Sequence, residues 1–397
     1  MIIKRFIHPV GQGAFYSEHF DLESEPSVNI VYDCGTKDQW RGALESSCNF
    51  CWNLSEGVID ALFISHFDED HVNGIFYLVQ KLHVKIKKVI LPVLRNEYWL
   101  QITEFGVKYY NSYNTLISLF NQNNIPIVEV LPVEGNENTI PENQREAIEI
   151  QNLSGRIPSG TPIKAAKYED LKWVYIPIYF DALLKLKNDL KDKLEDIPYN
   201  GRTLDVDKDL QNIGSLPQDV ISKINDVYKE IVGDNNRPSM LCYSGPIEKV
   251  NVQNYKKYSH YFRYFWSHIN LAVFNLGILG TLYTGDSTLK RKQCKGIASI
   301  LKIYDINYKK AYDLVPLIGA LQLPHHGSGN NITLNSVEKY MRLNFDGLTT
   351  FASFGLGNSY GHPSASLIET ILQSYGRFLE VNEMRYSRLS DVIHLYK

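Results

Sequence analysis

The stretch "LFISHFDEDHVNGIF" (Leu62–Phe76) runs an apolar segment straight into a cluster of charge. The apolar run ends at Ser65, and His66, Asp68, Glu69, Asp70 and His71 follow at once. The preceding "VIDALFIS" reads as a strand buried on both faces, and Gly74–Leu82 reads as a helix. Carboxylates held side by side repel each other, and a pair of divalent metal ions makes their convergence favourable. A charged surface turn would not account for the buried strand that delivers them. On this reading one tight loop feeds two ions, His66 and Asp68 facing one, Asp70 and His71 the other. Glu69 alternates away from the ligands and is left to solvent.

Further ligands must come from elsewhere in the chain, and three later apolar runs each end in a polar cluster. "NLGILGTLYTGDS" ends at Asp286, "LIGALQLPHHGS" at His325 and His326, and "TTFASFGLGNSYGHPS" at His362. Strand ends that meet loops in this way are where α/β folds gather their ligands. His325 and His326 cannot point the same way in an extended chain. One of them therefore binds metal or the scissile group while the other orients it or packs. Spacing leaves the choice open; His325 is assigned to the metal and His326 to catalysis.

Around these motifs, strand signals alternate with helical ones, which predicts a layered α/β fold. "MIIKRFIHPV", "SVNIVYDCG" and "VKIKKVILPV" read as strands. The middle of the chain differs. Leu183, Leu186, Leu190, Leu194 and Ile197 recur at helical spacing, as do Val220, Ile224, Val227 and Ile231. This predicts a mainly helical insertion over 95–235, between a first part (1–94) and a second part (236–397) of one domain. An aromatic-rich stretch at about 250–270 reads as a second insertion. Either insertion could carry a protein partner or a second copy of the chain; the aromatic stretch, with Lys256, Lys257 and Arg263 among its rings, could equally stack nucleic acid bases or pack its own insertion.

At 397 residues, with 44% hydrophobic and 21% charged, the composition is that of a soluble globular protein. A net charge of −3 gives no global attraction to nucleic acid, so any such site must be a local basic patch. The N-terminal segment lacks the apolar core of a secretory signal, and no apolar window is long enough to span a bilayer. The five Cys (34, 48, 51, 242, 294) are an odd number and suit a reducing compartment. The expectation is a cytoplasmic protein without membrane contact. Cys48 and Cys51 form a Cys-x-x-Cys with no second pair, so they read as thiols on a helix face and not as a zinc site.

Several separated segments together resemble the metallo-β-lactamase fold superfamily. More narrowly, they resemble the metallo-hydrolase domain of the bacterial DNA-uptake channel protein (ComEC-type). They are "VGQG" (Val10–Gly13), "VYDCGT" (Val31–Thr36), "ISHFDEDHVNG", "NRPSMLCYSG", "LYTGDS" (Leu282–Ser287), "LQLPHHGSGN" (Leu321–Asn330) and "FGLGNSYGHPS" (Phe354–Ser364), in the family's order. The resemblance covers about 1–92 and 235–397 and neither insertion. It implies a metallo-β-lactamase-like αββα sandwich, with His66, Asp68, Asp70, His71, Asp286, His325 and His362 as metal ligands. It also implies Asp286 as a bridging carboxylate, Asp70, Asp286 and His326 as catalytic residues, and Asp33 as an orienting residue behind the ligands. Ser328, Asn358 and Tyr360 are the substrate contacts its last two motifs imply. Asp68 stands where the superfamily's zinc hydrolases carry a second His. Oxygen in place of nitrogen shifts the preference from Zn²⁺ towards Mn²⁺ or Mg²⁺.

"STLKRKQCK" (Ser287–Lys295) adds Lys290, Arg291, Lys292 and Lys295 directly after Asp286. Such a run is ordinarily a solvated face; beside a ligand motif it reads as a contact for a phosphate backbone. Together these readings predict a phosphodiesterase in which one or two divalent ions activate a hydroxide. A DNase or RNase is favoured, in a role such as phage defence. A hydrolase of cyclic nucleotides, small esters or lactones is the alternative within the same chemistry. A nucleotide-sensing or assembly subunit of a defence complex is the alternative outside it.

Overall fold

A computed structural model describes residues 1–22, 25–93, 114–133, 146–165, 173–180, 187–210, 215–232, 239–249, 252–259, 278–305 and 310–395. Two large mixed sheets dominate them. The first runs in the order Arg156–Pro158, Ile127–Leu131, Val89–Pro92, Ala61–Phe63, Glu25–Cys34, Phe15–Leu22, Ile2–Ile7, Leu389–Leu395, Val252–Ser259. From Glu25–Cys34 outward to Arg156–Pro158 its pairings are parallel; from Phe15–Leu22 to Val252–Ser259 they are antiparallel. The second runs Arg377–Val381, Thr349–Ser353, Ile318–Gln322, Gly280–Tyr283, Leu241–Pro246, Trp173–Ile178, Ile163–Lys164, Ile148–Glu149. Its first four strands are mutually parallel, as apolar runs each followed by a helix or a long loop require.

Side-chain alternation along the strands sorts the interior into three apolar layers. Between the sheets, Tyr16, Phe20, Tyr32 and Phe63 of the first meet Trp173, Tyr175, Tyr283 and Phe351 of the second. Tyr32 stacks on Tyr283 with ring centroids 5.1 Å apart, and Phe63 on Tyr175 at 5.4 Å. Outside the first sheet lie the helices Arg41–Ser55 and Glu69–Phe76, with Lys187–Glu195 and Gln218–Val232 packed into the same apolar cluster. Outside the second sheet lie Arg291–Ile300 and Ala365–Gln373. The five cysteines are buried and unpaired. Cys34, Cys48 and Cys51 sit under the first helical layer, Cys242 between the sheets and Cys294 under the second helical layer.

The inter-sheet layer also holds an ion pair. Arg5 Nε lies 2.8 Å from Glu18 Oε1, both side chains being almost wholly buried. The hydroxyls of Tyr175, Ser244 and Tyr283 donate to the same carboxylate from the second sheet. Burial works against the charge on Glu18, but Arg5 and these donors keep it ionised, with its pKa below the ordinary value.

The middle of the chain departs from the expected helical insertion over 95–235. Helices do occur at Lys187–Glu195 and Gln218–Val232, where the periodicity placed them. Ile127–Leu131 and Arg156–Pro158, however, extend the first sheet, and Ile148–Glu149, Ile163–Lys164 and Trp173–Ile178 complete the second. Five short strands of that segment are therefore integral to the two large sheets. "WVYIPI" (Trp173–Ile178) is buried at every position because it lies between two layers. Of the aromatic-rich stretch, 252–259 forms the edge strand of the first sheet and 260–277 lies outside the described residues.

No helix among the described residues is long and apolar enough to cross a membrane.

Candidate metal centre

The strand Ala61–Phe63 ends beside Glu25–Cys34, and the chain leaves it through Ser65 and His66 into the helix Glu69–Phe76. Asp68 takes the N-cap position in extended conformation, so Asp70 and His71 fall in the first helical turn. The charged stretch is thus half loop and half helix N-terminus, where backbone N–H groups favour negative charge. Gly35 allows this helix its position. A Cβ there would stand 2.5 Å from the carbonyl carbon of Asp70 and 2.6 Å from the amide nitrogen of His71.

Three separated segments meet at this point. His71 Nε2 lies 3.2 Å from Asp286 Oδ1, and His66 Nε2 lies 3.7 Å from Asp286 Oδ2 and 3.8 Å from Asp68 Oδ2. His326 Nε2 lies 3.3 Å from Asp70 Oδ2, and His325 Nε2 lies 3.7 Å from Asp286 Oδ2. Two triplets of ligand-type atoms close enough to share an ion result: His66, His71 and Asp286, and Asp70, His71 and His326. All five of these residues are buried. His71 therefore groups with His66 as well as with Asp70, where sequence reading divided the two histidines between separate ions.

The imidazoles are oriented from behind. Asp33 Oδ2 accepts a hydrogen bond from His71 Nδ1 at 2.8 Å, while both carboxylate oxygens also take the Ser65 amide and hydroxyl. Because the Ser65 hydroxyl hydrogen is committed to Asp33, His66 Nδ1 donates to Ser65 Oγ at 2.9 Å. His326 Nδ1 donates to the carbonyl of Ser353 at 2.8 Å. With each Nδ1 acting as donor, the neutral ring presents a lone pair at Nε2. Those lone pairs face carboxylate oxygens. His71 Nε2, His326 Nε2 and Asp286 Oδ1 are buried without a hydrogen bond among the described residues. Opposed acceptors of this kind fit a cation between them, and the donor set of imidazole and carboxylate suits Mn²⁺, Zn²⁺ or Mg²⁺.

Where no cation lies between these groups, the same proximity acts on their protons. Burial alone would discharge Asp286, yet His325, His71 and His66 around it hold its carboxyl well below the usual range. Asp70 is likewise held low against burial by His326 and by Lys37, whose Nζ lies 2.8 Å from Asp70 Oδ1. Burial opposes charge on His71, but Asp286 and Asp33 outweigh it and raise its proton affinity well above the ordinary value. Burial keeps the carboxyl of Asp33 above its ordinary pKa in spite of His71.

His325 and His326 both reach the cluster, because the chain there is not extended. Their φ angles are 50° and 55°, in the left-handed region that bulky residues rarely enter. Asp33 adopts φ 53°. Left-handed backbone at three residues of one cluster is the local strain that functional sites retain. His326 is the member of a buried triplet, while His325 is partly exposed at the rim; sequence reading had favoured His325 for the metal. His362 belongs to neither triplet. Its ring centroid lies 5.4 Å from that of His325, and burial together with His325 and His326 lowers its pKa to about 4.

The expected substrate contacts divide. Tyr360 is exposed, with its ring stacked on His362 at 6.3 Å. Asn358 is spent on its own loop: Nδ2 donates to the carbonyls of Gly355 and His362, and Oδ1 accepts from the amides of Tyr360 and His362. Ser328 is buried. Lys290, Arg291 and Lys292 are exposed at the start of the helix Arg291–Ile300, and Arg291 and Lys295 each lie 5.4 Å from the ring centroid of Tyr340.

Sequence reading assigned nothing to Lys37 or Ser65. Ser65 was within reach, as the hydroxyl directly before His66. Lys37 meets Asp70 only through folding. Ser239, from the expected "NRPS" motif, accepts the amide of Asp286 at 3.1 Å through its Oγ, which is 3.4 Å from His66 Nδ1.

Compared with known proteins, the chain matches no family model and no curated protein.

Proposed function

We propose that this chain is a metal-dependent phosphodiesterase of the metallo-β-lactamase fold, acting in the cytoplasm on a polynucleotide. The observation that carries the reading is the convergence of His66, His71, Asp286, Asp70 and His326, with imidazole lone pairs set against carboxylates. The helix–sheet–sheet–helix order and the ligand-bearing strand ends support the fold assignment. A divalent ion held there would supply positive charge for a phosphodiester oxygen and lower the pKa of a bound water.

The chain's own residues do the rest. Asp33 and Ser65 fix the rings of His71 and His66, and the Ser353 carbonyl fixes that of His326. His325 and His362 line the rim, where an anionic oxygen of the substrate would enter between imidazoles. Tyr360 offers an exposed ring on which a base would stack. Lys290, Arg291 and Lys292 supply the local positive charge that the net charge of −3 lacks.

The test is incubation with circular single-stranded DNA, duplex DNA, RNA and cyclic dinucleotides, each with Mn²⁺, Mg²⁺ or Zn²⁺. Cleavage of a circular polynucleotide, lost in Asp286→Ala, supports the reading. Hydrolysis of esters or cyclic dinucleotides with no polynucleotide cleaved would replace it with the small-substrate hydrolase. Binding of nucleotide without turnover under any metal would replace it with a sensor.

A further inference from the structure

The two triplets are not equivalent. They share His71, whose Nδ1 is committed to Asp33, leaving one Nε2 lone pair for one ion. If His71 serves the triplet with His66 and Asp286, the other keeps only Asp70 and His326. Asp70 is already engaged through Oδ1, which lies 2.8 Å from Lys37 Nζ.

The backbone of Lys37 is tied to this place. Its amide donates to the Gln12 carbonyl at 2.8 Å, and its carbonyl accepts from Trp40 at 3.0 Å. One residue before it, the Thr36 amide donates to Asn73 Oδ1 at 3.0 Å, and Asn73 Nδ2 donates back to the Thr36 carbonyl at 2.7 Å. Asn73 belongs to the same helix as Asp70 and His71. Two residues before it, Gly35 lies against the Asp70–His71 backbone. The segment that carries the lysine is thus clamped to the segment that carries the carboxylate.

We infer that Lys37 stands in for a second metal ion: its ammonium neutralises Asp70, and the centre holds a single divalent ion between His66, His71 and Asp286. This rests on the proposed metal centre and narrows it. An ammonium and a divalent ion on one carboxylate repel strongly where water is scarce, and the second position has lost the shared histidine as well. The ammonium then faces the space where a second ion would have held the substrate. It contributes one fixed positive charge there, independent of metal supply.

The experiment loads the purified full-length chain with excess Mn²⁺, removes unbound metal, and counts Mn per chain by elemental mass spectrometry. Electron paramagnetic resonance then distinguishes isolated from coupled ions. The parent is expected to hold one Mn²⁺ with the six-line spectrum of an isolated ion. Lys37→Met, which keeps the bulk and removes the charge, is expected to hold two, with a spin-coupled spectrum. A parent that holds two coupled ions, or a Lys37→Met protein that still holds one, overturns the inference and leaves the metal centre standing. A folded parent that holds none removes the metal centre and the inference together. Should Lys37→Met fail to fold, Lys37→Gln removes the same charge and carries the same expected outcomes.

Discussion

Asp33 meets three hydrogen-bond donors while fully buried, and its backbone is left-handed. Asn is the replacement that tolerates that conformation and keeps an acceptor oxygen. Asp33→Asn removes the charge behind His71 and one of the two acceptors. It is expected to weaken Mn²⁺ binding by about 10–100-fold with the far-ultraviolet circular dichroism unchanged. Titration calorimetry reads the affinity; an unchanged affinity would make Asp33 merely a loop brace. At this scale the site was largely legible, because His66, Asp68, Asp70 and His71 are crowded into one short stretch and Asp286 and His326 end apolar runs. Lys37 was not legible. Its partner Asp70 is 33 positions away, and nothing in "CGTKD" marks that lysine over any other. The choice between His325 and His326 turned on a backbone conformation that residue types do not announce.

Among the secondary elements, the close approach of Gly35 to the helix Glu69–Phe76 sets where Asp70 and His71 stand. Gly35→Ala places a methyl against backbone atoms that have no side-chain freedom to yield. The expected result is a lower melting temperature and loss of Mn²⁺ binding together, read by thermal melts with and without metal. If binding survives unchanged, the helix is not held by this contact. The helix Arg291–Ile300 carries a separable function. Lys290→Ala with Arg291→Ala should cleave like the parent at low salt and fail earlier as salt rises. The slope of log affinity against log salt should be shallower by about one unit for each lost phosphate contact. Equal salt dependence in parent and double variant would make the patch a solvated face. The helices at Lys187–Glu195 and Gln218–Val232 could be read from periodicity because each buries one stripe. Most of the strands between Ile127 and Ile178 could not, since several are two or three residues long, too short for a period to show. "IVEVL" (Ile127–Leu131) and "WVYIPI" carried strand signals, but they lay among stretches that pointed to helix.

Across the whole molecule, stability depends on polar groups buried in the first sheet as well as on the apolar layers. His8 Nε2 is 2.8 Å from Ser17 Oγ, which is 2.9 Å from His19 Nε2; His19 Nδ1 donates to Asn29 Oδ1 at 2.8 Å. Burial lowers the pKa of His19 to about 4, and it lowers that of His8 well below the ordinary value. The unfolded chain protonates both rings near pH 6.5, whereas the folded chain holds His19 neutral until about pH 4. Between those limits the unfolded state binds more protons, so stability falls as pH falls. The expected loss is about 1.4 kcal/mol per pH unit for each ring still neutral in the fold. Denaturant titrations at pH 7, 6 and 5 measure the slope, and His19→Asn should flatten it by one ring's share. An identical slope in that variant would place the acid sensitivity elsewhere.

The five buried thiols give each layer of the molecule its own clock. A thiol-alkylating reagent reaches a buried cysteine only when the structure around it opens, so the labelling rate at each position reports the free energy of that opening. Cys34, Cys48 and Cys51 time the first helical layer, Cys242 the space between the sheets, and Cys294 the second helical layer. Peptide-resolved mass spectrometry during slow alkylation under native conditions would follow them together. If the outer layers loosen independently, Cys294 reacts well before Cys242. If every cysteine reacts at one rate, the four layers come apart as a single cooperative unit, and no helix can shift to admit a substrate without the sheets parting too.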